Sequence, residues 1–315
     1  MHNRLVRWLR GDAPQCVGTY CGDLGVCFVY KNPTGHRLYL YQPSTAEGGD
    51  FPLAAAIEKF CARVDASGVR FALAVAMRAD DVFVRSMSVP TGLSDAQLEQ
   101  LAIVEAVANL PVPPEEICLD FMRLAGSADT PEETLRLAFC RRERVDEILA
   151  VTEAFPLSVG VIDRDVQAIH DAVLAVVATS GQADSVTYPF GLLLTEITPR
   201  LVIYLDALTC ESYPIRLSAS EPEAMQSDLR QQISHCWTRC RMAQGQAAPS
   251  LGSLICIGEG LPTESAWLSG LSIEEGMGVV RLDLSKVRDG VQEGVMPPDE
   301  IWLIASGMAT RSCQC

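Results

Sequence analysis

The run Gln15-Cys16-Val17-Gly18-Thr19-Tyr20-Cys21 passes through Gly22-Asp23-Leu24-Gly25 into Val26-Cys27-Phe28-Val29-Tyr30, and through Asn32-Pro33-Thr34-Gly35 into Leu38-Tyr39-Leu40-Tyr41-Gln42. The runs are rich in β-branched and aromatic residues, and each break carries Gly with Asp, Asn or Pro, which supply the backbone angles of a tight turn. Three antiparallel strands in sequence order are expected. Ala54 to Val64 then spaces its apolar residues at helical period, and Phe71 to Met77 is a short unbroken apolar run that suits a buried strand.

The order β-β-β-α-β opens a ribonuclease-H-like or actin-like half; a plain Rossmann domain would alternate strand and helix from the start. Val82 to Val89 reads as a further strand stopped by Pro90. Ser94 and Gln97 form a capping box for a helix to Asn109 whose face is Leu98, Leu101, Val104 and Ala108. Strands Ile117 to Arg123 and Leu135 to Cys140 and a helix from Arg144 to Ala154 complete a β-α-β-β-α unit over residues 79–155, read as an insertion into the first half. Residues 1–78 and 156–190 form that half, with a strand at Leu157 to Ile162 and Asp163 capping a helix that turns Val166, Ile169, Val173 and Val177 inward. His170 lies beside that stripe, where a packed histidine is commoner than a base. A second half over 191–315 is expected to repeat the plan from a hairpin of Leu201 to Asp206 and Ser212 to Leu217. A helix from Glu221 to Met242 follows, then Ser253 to Ile257, a short helix near Ser265, and the runs Val279 to Leu284 and Ile301 to Ile304.

The 315 residues are 48% hydrophobic and 21% charged, so the chain can bury a substantial core and is not disordered. Its net charge of −15, with 25 scattered basic residues, lacks the footprint of a nucleic-acid binder. Arg4, Arg7 and Arg10 precede no signal-type apolar segment, and Ala172 to Ala178 is far shorter than a membrane span, so a cytosolic, soluble chain is expected. Leu5, Trp8 and Leu9 beside those arginines could touch an anionic membrane, although a docked or frayed terminus is the commoner outcome. The 12 cysteines are then reduced thiols. His235, Cys236 and Cys240, with Cys313 and Cys315, are the candidate zinc set, but Cys236 and Cys240 share a helical stripe with Met225, Leu229 and Ile233, which reads as core. No metal site and no catalytic residue is assigned. P-loop, G-x-S-x-G, H-E-x-x-H, C-x-x-C and G-x-G-x-x-G patterns are absent.

Several segments together resemble the PilM family, the cytoplasmic actin-like proteins of type IV pilus assembly, and in particular its divergent MshI branch from mannose-sensitive haemagglutinin (MSHA) pili. They are Ser88-Val89-Pro90 with Leu93-Ser94, Leu110-Pro111-Val112-Pro113-Pro114-Glu115-Glu116-Ile117 with Leu119-Asp120-Phe121, Val161-Ile162-Asp163, and Ile304-Ala305-Ser306-Gly307-Met308-Ala309-Thr310-Arg311. The resemblance implies an actin-like fold of two ribonuclease-H-like halves with a small inserted α+β subdomain. It also implies a cleft for ATP and Mg²⁺ lined here by Gly22, Asp23, Asp206, Gly258 and Gly260. The chain departs from the family at this cleft: Tyr20 stands where the first Asp-x-Gly has its acid, Asp206 is followed by no glycine, and Glu259 interrupts the Gly-Gly on the adenosine side. Weak nucleotide binding or none is expected. What the resemblance implies is a non-catalytic scaffold at the inner face of the inner membrane. It would hold the cytoplasmic N-terminal peptide of a bitopic PilN-like or MshJ-like partner, with contacts to an assembly ATPase. The rival expectation is an actin-like ATPase or sugar-kinase-type phosphotransferase.

Overall fold

A computed structural model describes residues 15–22, 24–31, 37–44, 53–64, 71–124, 132–153, 157–180, 186–217, 221–244, 250–258, 261–284 and 295–310. Asp23, Glu259, Gly260, Cys313, Cys315 and the basic stretch 1–10 lie outside them. The chain forms two compact units, Met77–Val159 and the remainder.

In the larger unit, β1 (Gln15–Gly22), β2 (Gly25–Lys31) and β3 (Arg37–Pro43) form an antiparallel meander. After α1 (Leu53–Val64), β4 (Phe71–Met77) pairs parallel with β1. β8 (Ser158–Arg164) completes the sheet in the order β3-β2-β1-β4-β8. α4 (Asp165–Thr179) follows. The second sheet is built from β9 (Phe190–Leu194), β10 (Arg200–Tyr204), β11 (Cys210–Pro214), β12 (Ser253–Ile257) and β13 (Gly278–Arg281), in the order β11-β10-β9-β12-β13. Its first three strands are antiparallel and β12 pairs parallel with β9, so both sheets share one connectivity, a meander followed by a parallel return. This duplicated topology is the actin-like plan.

Four expectations are corrected. The second half opens one strand earlier than the hairpin at Leu201, on β9. Phe190-Gly191-Leu192-Leu193-Leu194 is buried on both faces and shows no alternation, so periodicity does not reveal it. Ile301 to Ile304 lie within α7 (Asp299–Met308), a helix apolar on every side because it is buried on every side. Although it follows the second sheet in sequence, α7 packs on β1, β2 and α4 of the first half. Asp163 does not cap α4; it lies within β8, one residue before its end, and accepts a hydrogen bond from the Arg164 backbone N–H, while Asp165 accepts from Val166 N–H at 2.7 Å.

Glycine sets how closely α7 approaches. A Cβ on Gly18 of β1 would lie 1.9 Å from the Ala305 carbonyl oxygen and 2.3 Å from the Ala309 nitrogen; one on Gly307 would lie 1.9 Å from the Ala168 carbonyl oxygen of α4. On the second sheet, α5 (Pro222–Gln244) buries Leu229, Ile233, Cys236, Trp237 and Cys240 against Leu201, Ile203, Leu254 and Cys256, while α6 (Ser265–Ser269) adds Trp267 and Leu268. Cys236 and Cys240 are therefore core residues, whereas His235 is exposed. Among the described residues no group of His, Cys, Asp and Glu could hold a metal. No described helix is long and apolar enough to cross a membrane.

The smaller unit has β5 (Phe83–Pro90), α2 (Asp95–Asn109), β6 (Ile117–Leu124), β7 (Glu132–Arg141) and α3 (Arg142–Glu153), with its antiparallel sheet in the order β5-β7-β6. The capping box is present: Gln97 Oε1 accepts from Ser94 N–H at 2.9 Å and Ser94 Oγ from Gln97 N–H at 3.4 Å. The buried face of α2, however, is Leu98, Ala102 and Ala106, with Leu101 and Val104 turned outward. α2 is apolar along two stripes, and the alanine stripe allows the closer approach to the sheet.

Candidate functional site

The nucleotide cleft expected above would lie, once β9 is taken as the first strand of the second half, at the C-terminal ends of β1 and β9 and the loop after β12. At the first, Gly22 has no free space: a Cβ there would lie 2.3 Å from Tyr20 Oη and 2.7 Å from Cζ. Tyr20 and Gly22 share a face of β1, so the buried tyrosine ring folds along its own strand and covers the glycine of the turn. The third position is similarly closed. Gly258, at φ +122°, approaches Thr195 so closely that a Cβ would lie 2.1 Å from Oγ1, and Thr195 Oγ1 donates to the Ile257 carbonyl at 3.2 Å. Arg281 donates to the carbonyls of Gly258 and Leu261, each at 2.9 Å.

At the turn from β9 into β10, residues 195–199, buried charges from three elements meet. Arg200 opens β10, and its guanidinium donates to Asp165 Oδ2 at 2.9 Å and Glu300 Oε1 at 3.0 Å. The two carboxylate side chains are 5% and 0% exposed. Glu300 Oε2 accepts from Ile197 N–H at 3.2 Å, and Glu196 Oε2 accepts from Glu300 N–H at 2.8 Å. One cation from the second sheet thus joins the first turns of α4 and α7 from the first half. Burial alone would lower the Arg200 pKa, but Asp165 and Glu300 together raise it, so the charge is permanent. Glu300 is shifted the other way from an ordinary ion-paired carboxylate. Burial pushes it up to about 7, and the opposing pull of Arg200 and the Ile197 amide does not reverse the shift.

This gives a pH dependence. Glu300 holds its proton more tightly in the fold than in the unfolded chain, where such a carboxyl titrates near 4.5, so its ionisation weighs against folding. Its contribution to stability is complete below that value and is lost as pH rises through about 7. The loss amounts to roughly 3 kcal/mol at most. Urea unfolding between pH 5 and 8 is expected to show this decline in the native chain and a flatter profile in Glu300→Gln. Parallel profiles would disprove the assignment.

Of the residues expected in the cleft, Gly22 and Gly258 lie at the C-terminal ends of strands paired in parallel, β1 and β12. Asp206 does not. β10 runs antiparallel to β9, with Tyr204 opposite Phe190 and Arg200 opposite Leu194, so Asp206 falls at the other end of the sheet from Gly258. There its Oδ1 accepts from Leu208 and Thr209 N–H, both at 2.7 Å, and shapes the turn into β11. The misplacement follows from taking β10 for the first strand of the half. Arg200, Asp165, Glu196 and Glu300 were not singled out from sequence. The available signal is Glu300 heading the run Ile301-Trp302-Leu303-Ile304-Ala305, a carboxylate too close to buried surface to be solvated.

Next to this cluster His170 is buried among Tyr188, Phe190 and Tyr204, with Nδ1 2.7 Å from Asp171 Oδ1 and Nε2 2.6 Å from Tyr188 Oη. Both ring nitrogens are committed, so it acts as a packed, hydrogen-bonded residue of the interface between α4 and the second sheet. The described residues fit Mg²⁺ and a triphosphate poorly. The buried Arg200 is neutralised by two carboxylates, and the turn glycines are covered by Tyr20 and Thr195.

A family model described as type IV pilus assembly protein PilM matches residues 52–187. Among solved structures, the chain is similar to one from a PilM-PilN type IV pilus biogenesis complex, with TM-score 0.65 and 16% identity, covering 96% of this chain and 99% of that one. It is also similar to the cytoplasmic domain of EpsL, an inner-membrane component of the type II secretion system of Vibrio cholerae. That match has TM-score 0.52 and 10% identity and covers 93% and 94% of the two chains.

Proposed function

We propose that this PilM-like type IV pilus assembly protein is a non-catalytic cytoplasmic scaffold, held at the inner face of the inner membrane through a bitopic partner whose cytoplasmic N-terminal peptide it binds. The observation that carries the reading is the coincidence of a PilM family match with a fold likeness, along nearly the whole chain, to a protein from a PilM-PilN complex. The partner is then PilN-like, and MshJ-like if the chain serves an MSHA-type pilus, with an assembly ATPase as a further contact. A net charge of −15 suits a basic juxtamembrane peptide. The covered turn glycines and the neutralised Arg200 support a cleft that does not turn over nucleotide.

The test is affinity capture from gently solubilised cells of the source, followed by titration of a synthetic peptide copying the cytoplasmic N-terminus of the membrane protein recovered. A single-span protein co-purifying with pilus components, and saturable binding of its peptide but not of a scrambled version, are expected. Recovery of no such protein by a folded, monodisperse bait would refute the scaffold. Calorimetry with Mg·ATP should give no heat up to millimolar ligand; micromolar binding would favour the ATPase or sugar-kinase alternative.

A further inference from the structure

Cys118 of β6 and Cys140 of β7 stand directly opposite each other in the antiparallel ladder of the smaller unit, and both are free thiols. Directly opposed residues project from the same face with Cα atoms about 4.5–5.5 Å apart. That spacing lies within the range of roughly 4.4–6.8 Å that a disulfide spans. The face is not the one covered by α2, whose partners on these strands are Ile117, Leu119, Phe121, Leu135, Leu137 and Phe139. Neither cysteine is therefore needed to fill that core. They also differ in access, Cys118 being half-buried and Cys140 buried. Burial first, then the nearness of Cys118 and Asp81, pushes the Cys140 thiol up to about 11, which leaves Cys118 as the thiol that reacts first.

We propose that Cys118 and Cys140 form a reversible redox pair, oxidised to a cross-strand disulfide by a small disulfide such as oxidised glutathione. The Cys118 thiolate attacks one sulfur of the oxidant, forming a mixed disulfide and expelling one glutathione thiolate. The Cys140 thiolate then attacks the Cys118 sulfur and expels the second. The pair loses two electrons and two protons, and both glutathione molecules leave as thiols. The new bond joins β6 to β7 one residue pair from the end of the ladder, where α3 begins. Glutathione can reopen the bond by the reverse of the same exchange, so the staple is reversible.

The full chain, folded, is incubated with oxidised glutathione, its remaining thiols are alkylated, and it is digested without reduction for mass spectrometry. The expected product is a peptide pair joined through Cys118 and Cys140, about 2 Da lighter than the two thiol peptides and separated by dithiothreitol. Cys140→Ser should hold glutathione on Cys118 as a stable mixed disulfide. Cys118→Ser, at the half-buried position, should leave Cys140 unmodified and decides the matter if the Cys140 variant does not fold. Glutathione persisting on Cys118 of the native chain beside an alkylated Cys140, or both cysteines alkylated after oxidant treatment, would overturn the proposal.

Discussion

Replacement of Arg200 by methionine is expected to lower the unfolding free energy by about 3–5 kcal/mol at neutral pH. Methionine keeps most of the length and apolar volume of the arginine stem, so the loss isolates the charge. Without the guanidinium, Asp165 and Glu300 remain buried with no cation between them, and neither can be rehydrated without opening the contact between α4, α7 and the β9–β10 turn. A shift in the urea midpoint at unchanged slope is the readout. Lysine should recover part of the loss, since it restores the charge but not the rigid guanidinium whose Nη2 bridges both carboxylates. Combining Arg200→Met with Asp165→Asn and Glu300→Gln should recover most of it, because a group that is not ionised needs no counter-ion. A loss below about 1 kcal/mol for Arg200→Met alone would mean that the cluster is hydrated and does not tie the halves together.

The second large effect reverses an ordinary rule. Glycine inside a helix is normally worse than alanine by about 1 kcal/mol, so Gly307→Ala in α7 should stabilise if helix propensity decided the outcome. Its Cβ would instead lie 1.9 Å from the Ala168 carbonyl oxygen and 2.6 Å from the carbonyl carbon. These are backbone atoms of α4 and cannot rotate away. The helices must separate, and the expected result is a loss of about 2–3 kcal/mol or more, seen as a fall in Tm. Gly18→Ala presses on α7 from its other side, against Ala305 and Ala309, and should cost a similar amount. Gly278→Ala at the start of β13 meets nothing within 4 Å and serves as the control, expected within about 0.5 kcal/mol of the native chain. Equal effects at Gly278 and Gly307 would show that close packing is not the cause.

The parts of the fold that are legible in sequence are those whose signals are local. Gly22 to Gly25 mark the turn between the first two strands, and Ser94 with Gln97 marks where α2 begins, because turn geometry and capping are settled within a few residues. What stays hidden depends on both faces of an element being covered. Phe190 to Leu194 and Ile301 to Ile304 are each continuous apolar runs, one a strand and the other a helix, and nothing within either run distinguishes them. The orientation of α2 is hidden for a related reason. Leu98 belongs to two apolar stripes, and only the sheet beneath selects the one with Ala102 and Ala106. Of the ion cluster only Glu300 leaves a local signal, and its partner cannot be read: Arg200 and Glu300 are 100 residues apart, and their meeting depends on the crossing of α7 into the first half. Taking β10 for the first strand of its half displaces Asp206 by one strand, and in an antiparallel pair that is enough to carry a residue to the opposite end of a sheet.

The contact of β1 with α7 also bears on how the chain is made. The Cys16 thiol reaches the Met308 carbonyl across a sequence separation of 292 residues, and Gly18 waits for Ala305 and Ala309. At about 5–20 residues per second, a ribosome needs roughly 15–60 s to deliver that helix after the first strand has emerged. Throughout that interval the meander is exposed on the face that α7 will cover. A strand translated early is thus among the last elements to be finished, and a nascent chain arrested shortly before Asp299 would present that bare sheet face to chaperones and proteases.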